Sequence, residues 1–160
     1  MKQGSTFILK TALIIIGAIV LAICIFLLPG FGIEFAIEFP SAAHLSHFIV
    51  AIAYATTIPF FIALYQAFKL LIAIDKNTAF SEASIRALKN IKYCGIAISL
   101  LYIMTLPAFY YVADAEDAPG VIIMGMFIVF APFVIATFAG VLQKLLKSAI
   151  DMKEENELTV

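Results

Sequence analysis

The sequence predicts an all-α integral membrane protein, a four-helix bundle made of four spans. Three observations carry this. Of 160 residues, 64% are hydrophobic and 13% charged, a balance outside that of soluble globular domains. The apolar residues gather in four blocks, 11–28, 48–68, 93–112 and 121–142, that contain no Asp, Glu, Lys or Arg. Each block approaches the ~20 residues a helix needs to cross a ~30 Å hydrocarbon core. None alternates apolar and polar residues as a barrel strand must. One membrane domain over residues 1–160 is therefore expected.

In chain order, Lys2 and Lys10 lead into the first block, which Pro29, Gly30 and Gly32 close. A secretory signal with Ser41-Ala42-Ala43 as its cleavage site is the alternative, but the uncharged core exceeds the ~7–15 residues of a signal. The first span is expected to remain. The second block follows His44 and His47, carries Pro59 and ends ahead of a turn at 75–77. A polar helical segment, 78–92, runs into the third block, which contains Pro107. A short turn at 114–120 leads to the fourth block with Pro132, then to a tail, 143–160, that ends in Glu154, Glu155 and Glu157. Proline inside a span removes a backbone donor and crowds the preceding turn, so kinks are expected at all three.

The charges orient the chain. All 10 basic residues lie before the first block, between the second and third, or after the fourth. The other two loops carry only the acids Glu34, Glu38, Asp114, Glu116 and Asp117. Positive charge near span ends stays on the cytoplasmic side. Both termini and the central loop are thus expected in the cytoplasm, with the protein in the plasma membrane.

Pro59-Phe60-Phe61-Ile62-Ala63 matches Pro132-Phe133-Val134-Ile135-Ala136, and Lys69-Leu70-Leu71 matches Lys144-Leu145-Leu146, with Asp75 and Asp151 beyond. This suggests a duplicated helical hairpin with parallel halves. Small residues one turn apart, at Ala18/Ala22, Ala51/Ala55, Gly95/Ser99 and Ala136/Gly140, permit close helix approach. They serve packing within one chain or a homodimer equally well.

No chemistry is written plainly. With no Asp, Glu, Lys, Arg or His in any span, a proton relay or coupled transporter lacks its usual element. Tyr54, Thr56, Thr57, Tyr65, Gln66, Ser99, Tyr102, Thr105 and Thr137 are expected to hydrogen-bond between helices or back to their own backbone. The alternative is a small solute permease or channel component whose path is lined by Tyr54, Thr57, Gln66 and Tyr102. Cys24 and Cys94 differ in depth by roughly 20 Å along a helix and cannot pair. His44 and His47, near Glu34 and Glu38, could take a metal or titrate near neutral pH, yet solvated interfacial histidines are the commoner case. No phosphate loop, zinc spacing or nucleophile motif is present. No catalytic residue, metal site, cofactor or direct nucleic-acid contact is assigned, and the protein is expected not to be an enzyme.

The segment 78–92 has the most pattern outside the membrane. Ser81 suits a helix cap and Glu82 the positive end of the helix dipole. Ile85, Leu88 and Ile91 recur every third residue, with Arg86, Lys89 and Lys92 one position on. The result is an amphipathic helix with neighbouring apolar and basic stripes. It either lies on anionic lipid and fixes topology or receives a protein through Phe80, Ser81, Glu82, Arg86, Leu88, Lys89 and Lys92. The acidic tail either pairs with the basic stripe or stays disordered.

Phe80-Ser81-Glu82 followed by Leu88-Lys89-Asn90-Ile91-Lys92-Tyr93, with Ala63-Leu64-Tyr65-Gln66-Ala67-Phe68-Lys69 before it, resembles the YoaS-like family of bacterial four-span membrane proteins, a family of unknown function. Family members often carry a glycine shortly before the phenylalanine, where Asn77, Thr78 and Ala79 stand here. Such proteins are often encoded beside a small helix-turn-helix regulator. The resemblance thus implies a membrane protein that holds or releases a cytoplasmic transcription regulator. A purely lipid-organising role is the remaining alternative.

Overall fold

A computed structural model describes residues 3–159 as helices joined by short turns. Four helical stretches, Gly4–Glu38, Pro40–Asp75, Glu82–Ala115 and Gly120–Thr159, are long and apolar enough to cross a membrane. The first comprises α1 (Gln3–Ala22), a π-helical turn (Ile23–Leu27) and α2 (Leu28–Glu38). A 3-10 helix (Pro40–Leu45) then leads into α3 (Ser46–Asp75). The third stretch comprises α4 (Glu82–Ile103) and α5 (Leu106–Ala115), and the fourth is α6 (Gly120–Thr159). Lys2 lies outside the described residues.

Pro29 does not close the first span. The helix passes through Pro29, Gly30 and Gly32 to Glu38 by widening for one turn. The cause is local. The amide of Leu28 bonds back five residues to the Ile23 carbonyl, and Pro29 has no amide to offer the next carbonyl, that of Cys24. The Tyr54 hydroxyl, reaching across from α3, donates to that oxygen at 2.8 Å. Inside a bilayer no water would otherwise satisfy it.

Pro107 breaks the third span in its own way. α4 stops at Ile103, and the Thr105 amide turns back to the Tyr102 carbonyl at 3.0 Å. The Thr105 hydroxyl donates to the same oxygen at 2.6 Å, and α5 resumes at Leu106. The two hairpins therefore share a plan: a long helix, an irregular turn just before a proline, a short helix, then one long helix with an interior proline. Pro29 and Pro107 stand at nearly equal distances from the starts of their spans, as do Pro59 and Pro132. So do Gly17 and Gly95, each facing the second helix of its own hairpin.

The spans pack in chain order, α1 on α3, α3 on α4 and α4 on α6, with the last two pairings the most extensive. At the α4–α6 crossing, Gly95 lets the backbones approach until an added Cβ would stand 2.9 Å from both the Ala136 Cβ and the Pro132 carbonyl oxygen. One turn on, the Ser99 hydroxyl donates to the Val129 carbonyl at 2.9 Å, three residues ahead of Pro132, where the proline loosens the helix. The small pairs Gly95/Ser99 and Ala136/Gly140 are thus used within the chain. α1 sits at the edge, with Ile14, Ile15 and Ile19 exposed as a lipid-facing surface requires.

Two turns close by the same device. Asn77, with φ 57°, takes the left-handed position after α3, and the Thr78 amide bonds the Ala73 carbonyl at 2.8 Å. Asp117, with φ 50°, does so after α5, with the Ala118 amide on Ala113 at 2.9 Å. Asparagine and aspartate enter this region more readily than most side chains. Asn77 accordingly fills the role glycine often plays at a helix C-terminus.

Candidate functional site

The acidic end of the bundle is a packed apolar plug. Phe35, Ala42, Ile49, Ala108 and Val112 form a buried cluster flanked by Phe39, Leu45 and Val121. The Tyr111 hydroxyl donates to the Ser41 carbonyl at 3.1 Å, and the His44 ring meets the Tyr111 ring edge-on at 5.9 Å. His47 instead lines a 540 Å³ groove between α2 and α3, where Gly32, Ala36 and Ala51 leave room. Among the described residues no three His, Cys, Asp or Glu side chains gather as a metal site requires.

The polar groups of the spans are mostly bonded to neighbours. Thr56 donates to the Ala53 carbonyl at 2.7 Å and lies 3.1 Å from the Tyr102 hydroxyl; Thr57 donates to Tyr54 at 2.6 Å and Thr137 to Phe133 at 3.0 Å. Together with the Tyr54, Ser99 and Thr105 bonds, these tie helices together or bend them. Neither Tyr102 nor Thr57 lines that groove. Both cysteines are free.

The basic end is where the helices leave the apolar blocks. Thr6 and Lys10 on α1 both donate to the carboxylate of Asp75, the last residue of α3. A carboxylate at a helix C-terminus faces the negative end of the dipole. It is held there by partners from another helix. The hydrogen bonds from Lys10 and then Thr6 keep the Asp75 carboxyl below its ordinary range. With its midpoint lowered from an already acidic value, this group stays ionised through neutral pH, so the clasp is not a pH switch near neutrality. Lys10–Asp75 is the only ion pair among the described residues.

From this clasp the chain turns at Asn77 into α4. Ser81, extended at φ −148°, accepts the Ser84 amide at 3.3 Å and caps the helix. Glu82 stands exposed in the first turn. Ser84, Ile85, Ala87 and Leu88 are all buried, as are Leu71 on α3 and Ile150 on α6. Arg86 and Lys89 are exposed, and so is Phe80, at 58%.

Two residues of the expected docking face are placed otherwise by this geometry. Leu88 is 8% exposed and belongs to the bundle interior, leaving Phe80 as the apolar group on view. Lys92 is half-buried rather than exposed. A stripe repeating every three residues drifts around a helix of 3.6 residues per turn. Lys92, seven residues or about two turns from Ile85, therefore returns to the buried face. Its stem lies over Gly140 of α6, where an added Cβ would be 3.2 Å from the Lys92 Cδ, and its ammonium is 4.9 Å from the Tyr93 ring centroid. Sequence reasoning missed this pairing because Gly140 looks like any other small residue.

α6 stays helical through Thr159, so the acidic tail is neither irregular nor folded back on the basic stripe. Glu154, Glu155 and Glu157 project from it, exposed. The basic end thus presents Phe80, just ahead of α4, and an α4 face of Glu82, Arg86 and Lys89, beside a helical α6 extension carrying charges of both signs.

Residues 30–160 match the family model described as protein of unknown function DUF2975. The whole chain is 55% identical, over 160 residues and the full length of the relative, to the uncharacterized membrane protein YoaS of Bacillus subtilis (strain 168). No solved structure matches. The chain belongs to the DUF2975 family of proteins of unknown function.

Proposed function

We propose that the protein is a non-enzymatic plasma-membrane component with both termini in the cytoplasm. Its exposed α4 face docks a soluble cytoplasmic partner such as a small helix-turn-helix transcription regulator. The observation that carries this is the α4 face itself. Arg86 and Lys89 are exposed with no acid paired to them among the described residues, six and nine residues after an exposed Phe80 outside the apolar blocks. An aromatic anchor flanked by basic groups suits an acidic partner: the charges orient the encounter and the ring contributes contact area. Ser81 serves the helix cap, and Glu82 adds a charge that sets register. The permease alternative finds less support, since most hydroxyls on its path are spent on neighbouring carbonyls.

A photo-crosslinking residue at Ala83, exposed between Phe80 and Arg86, tests this in native membranes by mass spectrometry of captured proteins. One soluble protein is expected, with capture reduced about tenfold or more in the Arg86→Glu/Lys89→Glu variant. Capture of lipid alone, or equal capture by the variant, contradicts the docking role.

A further inference from the structure

A second groove, 460 Å³, lies between α4 and α6 at the basic end. That volume falls within the ~300–1,000 Å³ of ligand-binding clefts. Its composition is graded along the membrane normal. Lys92, Lys144 and Gln143 stand at the mouth, while Ile96, Ala136 and Phe133 line it further in. Between Lys144 and Phe133 lie eleven residue steps, about 16 Å of helix. This is close to half of a ~30 Å hydrocarbon core, the depth of one leaflet. The two lysines mark the level of the headgroups, since the uncharged blocks begin at Tyr93 and end at Leu142.

Neither lysine is paired with an acid among the described residues, and no acid lines the groove. The nearest acids along the two helices are Asp151, about two turns past Lys144, and Glu82, nearly three turns before Lys92. Lys92 is placed rather than merely present. Its stem crosses Gly140, and its ammonium lies over the Tyr93 ring. The Thr137 hydroxyl is engaged with the Phe133 carbonyl, so the inner part of the groove presents little free polarity. Two cations above an apolar channel one leaflet deep complement an anionic amphiphile.

We infer that the α4–α6 groove is a binding site for an anionic glycerophospholipid. The phosphate sits between Lys92 and Lys144 with Gln143 beside it, and one acyl chain runs inward past Ile96 to Phe133. The groove meets the exposed α4 face at Tyr93, whose ring also lies 5.9 Å from the Lys89 ammonium, while most of its lining, Gln143 and Lys144 included, belongs to α6.

Native mass spectrometry of the full chain in mild non-ionic detergent tests it, with phosphatidylglycerol and phosphatidylcholine as competing probes and inorganic phosphate as a third arm. Phosphatidylglycerol is expected to be retained in preference. Retention should fall about tenfold or more in Lys92→Gln/Lys144→Gln, persist in Lys92→Arg/Lys144→Arg, and fall again in Gly140→Leu, which fills the channel without changing charge. Thermal unfolding of each variant separates lost binding from lost fold, and Lys69→Gln, a basic residue on α3 at a similar level, should bind as the parent does. Equal retention of the two lipids, undiminished retention in the double Gln variant, or displacement by inorganic phosphate alone overturns the inference.

Discussion

Gly95→Leu is expected to separate α4 from α6 and to abolish the folded bundle, the largest effect of any single substitution considered. An added Cβ at Gly95 already stands 2.9 Å from the Pro132 carbonyl oxygen and from the Ala136 Cβ. The first is backbone, which cannot swing aside as a side-chain tip does. Two effects compete in the milder Gly95→Ala. Helix propensity favours alanine by up to ~1 kcal/mol, while overpacking costs about 1–3 kcal/mol. The balance is destabilising, and the Ser99 bond to Val129 one turn away is stretched with it. Gly30→Ala supplies the opposite sign, since nothing lies within 4 Å of its added Cβ and only the propensity gain remains. Unfolding followed by circular dichroism in mild detergent should show Gly30→Ala at or above the parent, Gly95→Ala below it and Gly95→Leu without a cooperative transition.

The second large effect concerns the widened turn of the first span. Tyr54→Phe removes only a hydroxyl, yet it leaves the Cys24 carbonyl without its donor. The expected cost is about 1–3 kcal/mol, more than an exposed surface hydroxyl would give, because lipid cannot replace the bond. The cost should depend on Pro29. In a Pro29→Ala background the backbone regains an amide at 29, and the helix can close with its ordinary ladder or bond Cys24 directly. Tyr54→Phe should then cost less than ~0.5 kcal/mol. A double-mutant cycle measures this coupling. Equal costs in the two backgrounds would show that the Tyr54 bond does not compensate for the proline.

The four spans were legible because the bilayer imposes a coarse rule that composition obeys: blocks without charge, separated by polar turns. The hydrogen-bonding hydroxyls were legible for the same reason, as buried polar groups in lipid must find partners. What stayed hidden depended on local geometry. Pro29 with two nearby glycines reads as a stop, but a one-residue widening lets α2 continue, and the compensating donor comes from Tyr54, far away in sequence. The turn after α3 carries no glycine, and only its φ shows Asn77 in that role. On α4 a period of three in sequence reads as a stripe. The helical period of 3.6 instead carries Lys92 back to the face of Ile85 and Leu88, dividing the basic residues between an exposed face and a groove. The Lys10–Asp75 clasp joins residues 65 apart, and nothing local in either segment announces it.

Which side of the membrane carries Arg86 and Lys89 decides whether a cytoplasmic partner can reach them. In a background with Cys24 and Cys94 replaced by alanine, single cysteines at Ala83 and at Glu116 probe the two ends with a membrane-impermeant maleimide. Both positions are exposed in the fold. In intact cells with any wall or outer layer permeabilised, labelling at 116 and protection at 83 until the membrane is opened is the expected result. Labelling at 83 with protection at 116 would place the basic end outside and remove the proposed docking face from the cytoplasm.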